Sequence, residues 1–119
     1  MPIEFRQITF TNHELRAALD DFFLRRNSPL PSGAILGVRW DGSEHEHVIV
    51  EISAAQRSEQ VTVTVANRDA GAALLRYCFL NKIPLPRASQ KSLAISGKNL
   101  VLELRSGSTS SESERRLTG

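Results

Sequence analysis

One cysteine, Cys78, stands in 119 residues. A lone thiol closes no intramolecular disulfide, so the fold must rest on its core, and a reducing compartment is the simple expectation. Long apolar runs are also missing. None approaches the roughly 18 to 20 residues that span a bilayer. The opening "MPIEFRQITF" lacks the basic segment and apolar stretch of a secretion signal, so no membrane partner and a cytoplasmic location are expected. Charge of one sign is scarce too. Fifteen Lys and Arg against thirteen Asp and Glu leave +2, a weak field for a nucleic acid to follow. The five Phe, one Trp and one Tyr fall almost entirely on expected core faces. The outer sheet face then has no aromatic, and single-strand binders need one for stacking. Nucleic-acid binding is the third-ranked reading.

What is present suits one globular domain. Apolar residues make up 40% and charged residues 24% of the chain, near globular averages and enough for a core at this length. The Arg- and Ala-rich usage is bacterial in style. Residues 1–105 read as the domain and 106–119, "SGSTSSESERRLTG", as a disordered polar tail.

Periodicity sets the elements. "IEFRQITF" reads as a strand in which Ile3 and Phe5 alternate against Glu4 and Arg6. Thr11 precedes Glu14 at capping-box spacing, with Thr11 or Asn12 as the cap. Leu15, Leu19, Phe22 and Phe23 then form one helical stripe. "SPLPSG" ends that helix. "AILGVRW", "HVIVEIS" and "VTVTVAN" follow as strands. Matching their apolar faces predicts a three-residue loop, Asp41 to Ser43, with Leu36 opposite Val48, Ala34 opposite Val50, and Gly42 at positive φ. The outward face would carry Arg39, Glu51, Thr62 and Thr64. "ANRDAGAALLRYCFLNK" reads as a second helix capped by Asn67 or Asp69. It is apolar nearly all round, which predicts either central burial or a covering partner. "SLAISGKNLVLELR" reads as a hairpin turning over Ser96 to Asn99. The expected fold is α+β: an antiparallel sheet of five or six strands with two helices on one face. The order is β-α-β-β-β-α-β-β, with no internal repeat.

Few constellations point to chemistry. His45 and His47 at alternate strand positions suit a shared divalent ion in spacing, yet a site needs a third ligand, and Arg39 shares their face. A solvated strand end is the better reading. Cys78 lies mid-helix among apolar neighbours, where burial makes a thiol inert. "SGKN" has the Gly-Lys of a phosphate loop without its spacing or its following helix. No cofactor, metal site or catalytic set is expected, and a non-enzymatic role is favoured.

One segment stays open. "NKIPLPRASQKS", residues 81–92, joins the second helix to the last hairpin. Pro84 and Pro86 stiffen it. Lys82, Arg87 and Lys91, with Ser89 and Gln90, make the densest positive cluster in the ordered part. Solvated cations beyond a helix C-terminus are the plain reading; an anion or acidic-partner contact is the sharper one. The leading expectation is a protein-interaction module, homodimeric through the second helix or a sheet edge. The alternative is a small-ligand or anion-binding domain, with or without enzymatic activity, using the loop cations.

Overall fold

The computed structural model describes residues 3–53, 60–86 and 89–106. It has eight elements: β1 (Glu4–Phe10), α1 (Asn12–Leu24), β2 (Ala34–Trp40), β3 (His47–Ser53), β4 (Gln60–Ala66), α2 (Asn67–Leu80), β5 (Gln90–Ser96) and β6 (Asn99–Ser106). The α+β class and element order match the sequence reading. The expected single sheet does not. Six strands form two antiparallel sheets, β1-β6-β5 and β2-β3-β4. β2 contacts β5 and β6, but no ladder hydrogen bonds join the sheets. β2 and β5 are edge strands, each hydrogen-bonded only within its own hairpin, to β3 and to β6.

α1 starts as its sequence dictates. Thr11 is the N-cap, its hydroxyl accepts from the Glu14 amide, and the Glu14 carboxylate accepts from the Thr11 amide. Leu15, Ala18 and Leu19 are buried, with Phe22 and Phe23 packed at the margin. Each buried leucine contributes about 1.5 to 3 kcal/mol of transfer free energy. α2 buries Ala70, Ala73, Leu74 and Cys78. Its N-cap is Ala66, and no side chain caps it. Neither expected cap holds that place: Asp69 lies within the first turn, and Asn67 is the first helical residue, its amide group donating to the His45 carbonyl.

The β2 register overturns both expected pairings, since Val48 lies opposite Trp40 rather than Leu36, and Val50 opposite Val38 rather than Ala34. Ile35 pairs with Ile52 and Gly37 with Glu51, so Leu36 is extra. This bulge turns Ile35 inward to 6% exposure and leaves Leu36 38% exposed. A bulge inverts the facing of every residue beyond it. Asn12 Nδ2 donates to the Leu36 carbonyl at 3.3 Å. Past the bulge Val38 pairs with Val50 and Trp40 with Val48, so the connecting loop is longer than three residues. Asp41 N–H closes it on the His47 carbonyl, and Gly42 takes φ 84° as expected. The Arg39–Glu51 ion pair and the exposed Thr62 and Thr64 occupy the outward face.

β1 also reverses its expected parity. Ile8 and Phe10 face the core, whereas Ile3 and Phe5 are exposed. Phe5 lies opposite Arg105, with the guanidinium 5.8 Å from its ring centroid. The outer face of this sheet therefore carries an aromatic. The pull of the later positions decides the matter, because Phe10 is 1% exposed at the start of α1.

The connectivity contains a repeat that composition hides. β1-α1-β2-β3 and β4-α2-β5-β6 have the same order, and each half lends its first strand to the other half's hairpin. One constant offset carries the N-cap Thr11 to the N-cap Ala66. It carries buried Leu15, Ala18 and Leu19 to buried Ala70, Ala73 and Leu74. It also carries Asn27 to Lys82, the two residues at φ 57° that end the helices. Each end has the same pair of bonds. Ser28 N–H reaches the Phe23 carbonyl and Asn27 N–H that of Leu24; Ile83 N–H reaches Cys78 and Lys82 N–H reaches Phe79. That is the Schellman pattern. Pro29-Leu30-Pro31 then maps onto Pro84-Leu85-Pro86.

Candidate functional site

The helices lie side by side and run in opposite directions, fixed by Asp21 with Arg76 at 2.7 Å and Arg26 with Asp69 at 3.4 Å. A cleft of about 600 Å³ opens between α2 and β5. One wall is α2, through Asn67, Arg68, Gly71, Ala72 and Leu75. The opposite wall is β5, through Lys91, Ser92 and Leu93, with Leu102 of β6 behind it. Trp40 and His45 close one end.

Each wall has a local cause. Trp40 ends β2, and the His45 ring stacks on it with centroids 4.6 Å apart and planes 12° apart. His45 sits at φ 56°, a left-handed conformation uncommon for a residue with a Cβ. Two anchors hold it there: the stack, and the bond from Asn67 Nδ2 to its carbonyl. The Asn67 N–H also donates to the Glu46 carbonyl at 3.1 Å. The start of α2 is thus tied to the β2–β3 loop.

Gly71 opens the middle of the helical wall. A Cβ at Gly71 would meet nothing within 4 Å. Glycine inside a helix costs roughly 0.5 to 1 kcal/mol relative to alanine, and here no close backbone contact within the chain requires it. The corresponding position on α1 holds Arg16, whose side chain is 19% exposed and bonds Asp20 at 3.0 Å. The groove matching the cleft is also closed at its strand. A Cβ on Gly37 would stand 3.3 Å from the Lys98 Cβ, and Asn12 spans to the Leu36 carbonyl. Two equivalent grooves exist by connectivity. One is filled and one is open.

The expected loop cluster is only partly assembled. Lys91 lines the cleft, and its Nζ donates to the Ser89 carbonyl at 3.1 Å. Ser89 Oγ donates to the Pro86 carbonyl at 3.1 Å. Gln90 begins β5 opposite Arg105. Lys82 serves a different purpose, as the left-handed residue that terminates α2, and among the described residues no bond links it to Ser89, Gln90 or Lys91. Arg87 lies outside the described residues. Pro84 accepts from Arg6 Nη1 at 3.1 Å, while Ile83 and Leu85 pack against the core.

His45 and His47 do not share a strand face. His45 is in the loop on Trp40, and His47 starts β3. Among the described residues no group of three or more His, Cys, Asp or Glu is placed to hold a metal ion. Cys78 is fully buried, and burial pushes its thiol pKa up, with the Arg6 guanidinium opposing. Sequence reasoning missed Trp40, His45, Arg68 and Gly71 as neighbours. The glycine inside an otherwise Ala- and Leu-rich helix was the available signal.

Searches against family models, curated proteins and solved structures find no match. Among the described residues no helix is long and apolar enough to cross a membrane.

Proposed function

We propose that the protein is a non-enzymatic binding module that holds a small ligand in the cleft between α2 and β5. The observation that carries this reading is Gly71. It weakens the helix, faces open space, and leaves open the one of two equivalent grooves that the described residues do not fill. The volume of about 600 Å³ falls in the range of small-molecule sites, which are mostly apolar with few polar groups. Catalysis is poorly supported by the same lining. Its described residues offer no carboxylate or thiol. Ser92 Oγ donates to the Glu103 carboxylate at 3.4 Å, but Glu103 lies outside the lining. A reducing, cytoplasmic setting fits the single buried thiol.

The test is a small-molecule screen read by amide chemical shifts on the wild type and on Gly71→Leu. Hits should move Arg68, Gly71, Leu75 and Leu93, and Gly71→Leu should suppress them. Hits that ignore Gly71→Leu would place binding elsewhere.

A protein partner, a second copy included, is the other reading, and a separate feature favours it. Phe79 is 78% exposed at the end of α2, beside half-exposed Leu80. Sedimentation at high micromolar concentration checks it. A self-associating species that Phe79→Ser dissociates is the expected result, and a monomer removes the homodimer.

A further inference from the structure

We infer that the ligand of the cleft is a flat apolar acid, its ring system against Leu75, Leu93 and Trp40 and its anionic group between Arg68 and Lys91. This rests on the cleft being a binding site and adds the class of molecule it takes.

Charge is the first argument. The chain has nearly balanced charge, with thirteen acids among its 119 residues, so a random cavity would carry both signs. The described lining carries Arg68, Lys91 and His45 and no acid. Among the described residues neither Arg68 nor Lys91 meets a carboxylate, a state shared by Arg6, Arg25, Lys82, Lys98 and Arg105, but these two are the ones that line the cleft. Cations facing a cavity of partly low polarity attract an anion more strongly than the same charges in open water. α2 begins at this cleft without a side-chain cap, and the acid of its first turn, Asp69, pairs with Arg26 rather than entering the lining.

Shape is the second argument. Leu75 and Leu93 are half-buried and Leu102 is 1% exposed, so the walls behind the cations are apolar. The Trp40–His45 stack presents flat surfaces at one end. Aromatic rings favour stacked or edge contacts with such groups. An inorganic anion would leave these walls wet, and a neutral hydrocarbon would leave both cations without a partner.

The experiment uses three probes of one shape: naphthoate, naphthylmethanol and naphthylmethylamine, as anion, neutral and cation. Each is titrated into the full chain and followed by amide shifts. Naphthoate should move Arg68, Gly71, Leu75 and Leu93 and bind at least about tenfold tighter than the amine, the scale of one charge-assisted hydrogen bond. Arg68→Gln and Lys91→Gln, both exposed positions, should each weaken naphthoate several-fold and leave naphthylmethanol unchanged. Equal binding of acid and amine at these residues would overturn the ligand class while leaving the cleft a binding site. No shift at these residues with any probe would overturn both.

Discussion

Replacing Gly71 by alanine should stabilise the protein, and the size follows from two observations. The backbone at Gly71 is helical, with no left-handed φ to be strained by a Cβ, and that Cβ would meet nothing within 4 Å. The steric cost is therefore near zero. The helix-propensity difference between glycine and alanine is about 0.8 to 1.0 kcal/mol in a helix interior, and the reduced freedom of the unfolded chain acts in the same direction. For a domain of this size such a gain raises Tm by roughly 3 to 6 °C. Thermal and urea denaturation would read it, with an unchanged m value showing that the unfolded state is comparable. A Tm at or below the wild type would refute the reasoning, because it would mean that Gly71 is needed for packing inside the chain. Gly71→Leu extends the argument. It should keep most of the stability gain while filling the cleft, so stability and naphthoate affinity should move in opposite directions. Parallel loss of both would point to a structural glycine.

Three further outcomes follow from other parts of the fold. Lys82→Gly should stabilise by about 0.5 kcal/mol in urea denaturation, since relief of a left-handed Cβ outweighs the added freedom of the unfolded chain; Lys82→Ala, which keeps the Cβ, should not. Burial raises the Cys78 thiol pKa above its ordinary 9.0, so the folded state holds a proton that the unfolded state releases. Its contribution is therefore complete below 9.0 and is lost as pH climbs through the raised value. Cys78→Ala should flatten that alkaline fall, and an identical slope in both proteins would exclude the thiol as its source. Asp21→Arg should destabilise by about 1 kcal/mol, by setting two guanidinium groups together. The exchanged pair Asp21→Arg with Arg76→Asp should recover most of the loss in a double-mutant cycle.

Much of the fold was legible because local rules agree with one another along α1. The Thr11 box, the apolar stripe and the proline stop each specify the same helix. β3 was legible for a similar reason, since Val48, Val50 and Ile52 alternate without interruption and are all buried. Where one residue breaks a period, parity fails. Leu36 is indistinguishable by type from a core leucine, and only the ladder reveals that Ile35 takes its place. β1 failed differently. Ile3, Phe5, Ile8 and Phe10 offer apolar residues on both faces, and the choice depends on the hairpin β5–β6, far away in the chain. The cleft was hardest to see. Its lining comes from β2, the β2–β3 loop, α2, β5 and β6, and of the described members of the expected cluster only Lys91 lies there. The proline-rich segment that drew attention in the sequence is the second copy of a helix terminator, as the match of Pro84-Leu85-Pro86 to Pro29-Leu30-Pro31 makes plain.

The two halves differ where the proposed site lies. Equivalent positions are free to differ wherever the core does not constrain them, and the buried helix positions are small or aliphatic in both. At Asp21 and Arg76 the halves meet at corresponding positions. Identical halves would place two acids or two bases together there, so opposite charges require that the sequences differ. The groove positions differ in a second way. Arg16 with Asp20, Asn12 with Leu36, and Lys98 over Gly37 fill one groove with the chain's own groups. Among the described residues Gly71 leaves nothing comparable in the other, while the end of β2 and the longer β2–β3 loop supply Trp40 and His45 to its end. Filling both grooves would have gained helix propensity and packing. Leaving one open forgoes about 1 kcal/mol at Gly71 alone, and holds His45 in a conformation that few side chains adopt. Left-handed Asn27 and Lys82 end helices, whereas left-handed His45 borders the cleft with Gly71, the two places where the proposed binding role would account for stability forgone.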